Sequence, residues 1–124
     1  MLYPMNVDLA GRLVIIIGGG VVAERKVRGI LALDAEVAVR VIAPAMTDVL
    51  HELADSGQIE WREERYAGGM LEGAFLVYAA TDSPSVNAEV AAEAKRLGLL
   101  VNVIDDPNAS SFQLPATLRR GDFL

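Results

Sequence analysis

Leu13-Val14-Ile15-Ile16-Ile17-Gly18-Gly19-Gly20-Val21-Val22-Ala23 reads as a buried strand, a glycine turn and the start of a helix in direct succession. The first five residues are apolar without a break and mostly β-branched, the pattern of a strand covered on both faces. Three glycines end the run. Beyond them Val22, Ala23, Val27, Ile30 and Leu31 recur at helical spacing to about Leu33. Glu24, Arg25, Lys26 and Arg28 fill the opposite face, with Glu24 and Arg28 spaced for an i,i+4 pair. Such a unit opens a parallel α/β sheet, because parallel neighbours need a crossover about as long as a helix.

The alternation continues to both sides. Val37 to Ile42 reads as the second strand, stopped by Ala43-Pro44, and Thr47 or Asp48 can cap a helix that ends at Ser56-Gly57. Ile59 to Arg62 is a shorter third strand, followed by a polar loop from Glu63 to Gly69 and a brief helical turn around Met70-Leu71. Phe75 to Ala79 is the fourth strand. Ser83-Pro84 is a good N-cap and N1 pair for a helix to about Leu97, closed by Gly98. Leu100 to Ile104 is the fifth strand, and Asp105-Asp106-Pro107-Asn108 turns away from it. Ala116 to Arg119 and Asp122 to Leu124, around Arg120-Gly121, suggest a short hairpin-like C-terminal segment. The fold class is therefore α/β, a Rossmann-like doubly wound parallel sheet of about five strands, in one domain spanning residues 1–124.

Composition narrows the function classes. With 124 residues the chain has room for a single core. It has no cysteine, which excludes disulfides, thiolate zinc sites and cysteine nucleophiles, and its one histidine, His51, excludes a multi-histidine metal site. No metal ligand set is expected. The net charge of −6 argues against a general nucleic-acid or anionic-membrane surface. No stretch reaches the roughly 20 apolar residues of a membrane span, and the N-terminus lacks a basic leader, so the expected address is the cytoplasm.

Gly18-Gly19-Gly20-Val21-Val22-Ala23 fits G-x-G-x-x-A. In that motif the first glycine makes the tight turn and the second lets backbone approach a pyrophosphate. The small last residue allows close helix–strand packing, and the helix N-terminus offers free N–H groups to the phosphates. A glycine turn without a ligand is the bland alternative. The usual ribose-binding acid at the end of the second strand is missing, since Ile42-Ala43-Pro44-Ala45 stands there. Main chain and the Pro44 ring are expected to form the adenosine wall, and charge does not choose between NAD and NADP. Ala79-Ala80-Thr81-Asp82 follows the fourth strand at the ligand-binding edge, where Thr81 and Asn87 are either cofactor contacts or ordinary loop and helix-start polar groups. Asp105, at the end of the fifth strand on that edge, is either a general base or a turn residue.

The remaining polar features lean structural. His51 is expected on a solvated helix face, Trp61 in packing, and Glu60, Glu63 and Glu64 on a solvated edge. Arg119 and Arg120 either hold an acidic ligand or are exposed hairpin charges.

Together, Tyr3-Pro4, Leu9-Ala10-Gly11-Arg12, Gly18 to Lys26, Ala79-Ala80-Thr81-Asp82, Asn87, Val101 to Asp105, Phe112, Pro115 and Arg120-Gly121 resemble the precorrin-2 dehydrogenases, the NAD-binding part of sirohaem synthases. The resemblance runs over essentially the whole chain. It implies oxidation of precorrin-2 to sirohydrochlorin with NAD as cofactor, followed in many members by ferrous or cobalt insertion at the same site. By analogy Gly18, Gly19, Gly20, Val21 and Val22 cradle the pyrophosphate, and Ala43, Pro44 and Ala45 flank the adenosine. Ala80 and Thr81 then lie along the cofactor, and Asp105 matches the catalytic aspartate, a general base and acceptor of pyrrole protons. Arg119 and Arg120 are the candidate cations for the tetrapyrrole carboxylates.

Two departures from the family pattern are visible. Leu33-Asp34-Ala35 stands where members usually carry glycine, and Glu36 to Ile42 is one or two residues longer than usual. The family continues past the position of Leu124 with a portion used for homodimerisation and tetrapyrrole binding, which is expected to be missing here. A nucleotide-sensing regulatory domain, or a cofactor-binding fragment without activity, is the alternative reading. Sensors of that kind carry a similar Thr81-Asp82…Asn87 string, but also an acid at the end of the second strand.

Overall fold

The computed structural model describes residues 8–33, 36–104 and 110. The element order is β1 (Leu13–Ile17), α1 (Val21–Leu31), β2 (Ala38–Ile42), α2 (Asp48–Asp55), β3 (Glu60–Arg62), β4 (Leu76–Ala79), α3 (Pro84–Arg96) and β5 (Leu100–Val103). The strands form one sheet in the order β3-β2-β1-β4-β5, and every pairing is parallel. β1 lies at the centre because it is the most continuously apolar strand. Val14, Ile15, Ile16 and Ile17 are all essentially inaccessible to solvent, and each removes a whole branched side chain from water, worth about 2 kcal/mol.

The alternation of β1 divides the core into two layers. Val14 and Ile16 pack with Ala23, Val27 and Ile30 of α1 and Leu50 of α2. Ile15 and Ile17 pack with Val90, Ala91 and Ala94 of α3 and with Leu71. Helices therefore cover both faces, which is the doubly wound arrangement expected from the sequence. Thr47 caps α2, its Oγ1 accepting from the Leu50 N–H, and Ser83 caps α3 by accepting from the Val86 N–H.

Differences from the sequence reading are small and have local causes. β2 begins at Ala38, because the Glu36 carbonyl is used by the Gly11 N–H at 2.8 Å. The extra length ahead of Ile42 is thus absorbed before the strand, and Ile17 and Ile42 end level. Met70-Leu71 is not helical but part of a series of turns from residue 68 to 73. Gly69 and Gly73 take positive φ values of 93° and 86°, which an α-helix does not allow. His51 is half-buried rather than solvated, its ring meeting Trp61 edge-on with centroids 4.8 Å apart. Asp34, Ala35, Asp105 and the hairpin-like segment with Arg119 and Arg120 lie outside the described residues.

The β3–β4 crossover, which has no helix, is tied down by a buried carboxylate instead. Glu93 of α3 is 4% exposed and accepts from the Tyr66 hydroxyl and, at 2.8 Å, from the Gly69 N–H. Burial, and then the bond to Glu93, push the Tyr66 phenol well above its ordinary range, so it remains a donor. Tyr66→Phe is expected to cost about 1.5 kcal/mol in urea unfolding, the loss of one hydrogen bond to a carboxylate.

On the other edge, Glu60 of β3 bridges Arg62 at 2.9 Å and Arg40 at 3.0 Å. The Arg62 hydrogen bond holds the Glu60 carboxyl below its usual range; burial opposes it, and the bond and charge of Arg40 add to the lowering. The stabilisation it brings is present above the unfolded-state pKa and is lost as pH falls through the lowered folded one. For exposed pairs of this kind it is small.

Candidate functional site

The strand order reverses direction at β1, so the C-terminal ends of β1 and β4 border the crevice where ligands of such sheets bind. The three glycines after β1 divide the work of that crevice among them. Gly18 has φ of +128°, and a Cβ on it would stand 2.4 Å from the Ala80 carbonyl oxygen. It is the turn glycine, pressed against the loop after β4. A Cβ on Gly19 would meet the Ala45 carbonyl oxygen at 2.1 Å and the Ala43 Cβ at 3.0 Å. Its own carbonyl accepts the Thr47 N–H at 2.9 Å, so Gly19 is the seat of the loop after β2. Gly20 is exposed, and a Cβ there would meet nothing within 4 Å.

Gly20 is also the N-cap of α1, and unlike Thr47 and Ser83 it brings no side chain to the helix end. The first intrahelical bond runs from the Glu24 N–H to the Gly20 carbonyl at 2.9 Å. The Val21, Val22 and Ala23 N–H groups therefore lie ahead of the helical ladder. Open space beside Gly20, uncapped N–H groups and the positive end of the helix dipole together suit a bound pyrophosphate. Glu24, the acid of this turn, is paired with Arg28 at 3.6 Å. Ala23 is fully buried where α1 approaches the sheet, as the last small residue of the motif requires.

The walls come from the loops after β2 and β4. Ala43 is buried while Pro44 and Ala45 are exposed, and the Ala43 N–H bonds the Arg62 carbonyl at 3.1 Å. After β4, the Ala80 N–H is held by the Ile17 carbonyl at 2.8 Å. Thr81 is clasped by Asn87, which is 6% exposed. Asn87 Oδ1 accepts from the Thr81 N–H at 3.1 Å and from its hydroxyl at 2.6 Å, and Asn87 Nδ2 donates to the Thr81 carbonyl at 3.1 Å. The Thr81 hydroxyl also accepts from the Ser83 N–H at 3.2 Å. Thr81 thus shapes the wall through its backbone, its hydroxyl being spent within the loop. Tyr78, buried beneath on β4, is held neutral by burial, which pushes its phenol well up.

The structure brings Gly18 to Val22, Ala43 to Ala45, and Ala80 and Thr81 to one edge of the sheet; Asp105 lies outside the described residues. Ile104, the residue before it, reaches that edge through its N–H on the Ala79 carbonyl at 3.1 Å. Two contributors escape a reading of the sequence. Trp61, expected only to pack, donates its indole N–H to the Ala43 carbonyl at 3.0 Å. Asn87 was open between two roles, and its threefold clasp of Thr81 depends on where α3 begins. Among the described residues no group of three or more acidic or histidine side chains could hold a metal.

A family model described as "Putative NAD(P)-binding" matches residues 5–116. The chain belongs to this NAD(P)-binding family. The glycine loop, the uncapped helix and the space beside Gly20 are what a dinucleotide cofactor of that kind requires. Similar curated proteins include siroheme synthase 1 of Serratia proteamaculans, 41% identical over 94% of this chain and 24% of its own length. Siroheme synthase 3 of Aeromonas hydrophila is 42% identical over 98% of this chain and 25% of its own. The chain thus spans about a quarter of the length of these relatives. Among solved structures, SirC, a precorrin-2 dehydrogenase, superposes with a TM-score of 0.81 at 30% identity, covering 93% of this chain and 55% of that one. The NAD(P)-binding family, the parallel sheet and this superposition agree on the Rossmann-like fold.

Proposed function

We propose that this domain binds NAD and serves the oxidation of precorrin-2 to sirohydrochlorin, the hydride passing to NAD and a proton being released. The observation that carries the cofactor half is the open, uncapped start of α1 at Gly20. The substrate half is supported by the similarity to siroheme synthases and to a precorrin-2 dehydrogenase. NAD supplies the hydride acceptor. The N–H groups of Val21 and Val22 hold the pyrophosphate, with Gly20 leaving room for it, and Gly18 and Gly19 fix the loop that presents them. Ala43, Pro44 and Ala45 flank the adenosine, and Ala80 and Thr81 line the path toward the end of β5.

Asp105 follows that strand end and is proposed as the general base that takes the substrate proton as hydride leaves. The same carboxylate would accept pyrrole protons if ferrous or cobalt ions are then inserted into the product. Arg119 and Arg120 are proposed to meet the substrate carboxylates, homodimerisation is proposed as in the family, and a cytoplasmic location goes with this reading.

The test is an anaerobic assay of precorrin-2 and NAD, following NADH and sirohydrochlorin, with Asp105→Ala beside the unaltered chain. Turnover is expected to fall at least about 100-fold in the variant, the usual worth of a positioned base, with NAD affinity unchanged. Equal turnover by both would remove Asp105 from the mechanism. NAD binding without turnover by the unaltered chain would turn the reading toward a nucleotide-sensing or cofactor-binding module.

A further inference from the structure

The wall after β2 is held in place by an unusual device. In a parallel ladder the Ala43 carbonyl, one residue past the end of β2, would be met by the N–H of Glu64. The chain turns back after β3, however, and the Glu64 N–H goes to the Arg62 carbonyl at 2.8 Å. A carbonyl on a buried residue is thereby left over, and the indole of Trp61 takes it at 3.0 Å. Among the described residues this is the one side-chain hydrogen bond to the backbone of residues 43–46. The indole is itself fixed, half-buried against the α1–α2 core layer with the His51 ring edge-on to it. From Ala43 the loop reaches Gly19 within a few residues, where the Ala45 carbonyl fills the space a Gly19 side chain would take and the Thr47 N–H bonds the Gly19 carbonyl.

We infer that Trp61 is a positioning residue for the adenosine half of the cofactor: its indole N–H sets the Ala43 carbonyl and so the Ala43-Pro44-Ala45 wall. This rests on the NAD reading of that loop. The pyrophosphate end of the site, built on Gly20 and the first turn of α1, has no hydrogen bond to Trp61. Loss of the indole N–H should therefore weaken ligands that carry adenosine and spare those that do not.

Trp61→Phe keeps an aromatic ring for His51 and removes the donor. Calorimetric titration with ADP-ribose is expected to show affinity reduced about five- to tenfold, the worth of one hydrogen bond, while nicotinamide mononucleotide binds within twofold of the unaltered protein. Equal weakening of both ligands would mean a merely structural role, and unchanged ADP-ribose affinity would remove the role altogether; either overturns the inference. Should the variant fail to fold, the unaltered protein serves, because it has a single tryptophan and so one indole N–H resonance. ADP-ribose is expected to shift that resonance and nicotinamide mononucleotide to leave it; no shift with bound ADP-ribose overturns the inference. If the unaltered protein binds no ADP-ribose, the NAD reading itself falls, and this inference with it.

Discussion

Gly18→Ala is expected to destabilise the protein by about 4 kcal/mol and to abolish NAD binding, whereas Gly20→Ala melts with the unaltered protein and loses only the cofactor. The two outcomes follow from what each added methyl meets. At Gly18 the φ of +128° is one that side-chain-bearing residues rarely adopt, costing about 1–3 kcal/mol. The methyl would also stand 2.4 Å from the Ala80 oxygen and 2.8 Å from its carbon. Neither atom can retreat, because the Ala80 N–H is fixed to Ile17 and the next residue is clasped by Asn87. Overpacking of this kind adds about 1–3 kcal/mol. Together the two terms lower the melting temperature by more than about 10 °C in a domain of this size.

At Gly20 the backbone is extended, with φ of −88°, and the methyl enters open space. That space is the proposed pyrophosphate path, so NAD affinity is expected to fall by at least about tenfold with no change in melting. Thermal melts and calorimetric NAD titrations of both variants make the check. Gly20→Ala binding NAD like the unaltered protein would place the pyrophosphate elsewhere.

Asn87→Leu is expected to cost about 3 kcal/mol and to weaken NAD binding as well. The substitution keeps the branching and the number of heavy atoms and removes every polar atom of Asn87 that Thr81 uses: the Thr81 N–H, carbonyl and hydroxyl each lose their partner in Asn87. An unpaired group in a half-buried loop costs about 1–3 kcal/mol, and partial access of water to Thr81 keeps the sum toward the lower end. The loop after β4 then loosens against Gly18. Urea unfolding reads the stability, and faster hydrogen exchange at the Thr81 amide locates it. An Asn87→Leu protein as stable as the original would mean that water replaces the clasp without loss.

The sheet was legible because its signals are local. β1 is a continuous β-branched run, Thr47 and Ser83 are caps whose partners lie three residues away, and the glycine loop sits between strand and helix in sequence as in space. The β3–β4 crossover was less legible. Met70 and Leu71 are too few to show a period, and whether they coil depends on the conformations of Gly69 and Gly73 and on Glu93 some twenty residues on.

The site divides in the same way. That Gly18 to Val22 could cradle phosphates is written in one motif. That Gly19 exists to accept the loop after β2, that Trp61 props that loop, and that Thr81 is spent on Asn87 all depend on residues brought together by the finished sheet. His51 was misplaced for the same reason, its neighbour Trp61 being on another element. Asp105 was singled out by strand-end position and by resemblance, and its role rests on the assay.

The all-parallel order of the sheet also governs how the chain reaches its native state. Among the described residues no two neighbouring strands are joined by a hairpin, so β1 must wait for a crossover as long as a helix to close before it meets β2, and far longer for β4. Closing such long loops precedes any reward from pairing, which slows folding relative to chains of similar length built from local contacts. During that delay the apolar run Leu13 to Ile17 stands unpaired on both edges, the kind of segment that joins its counterpart in another molecule. At high concentration, refolding yield rather than native stability should limit recovery of this domain. Dilution, which slows encounters between chains without altering crossover closure, is the remedy its topology prescribes.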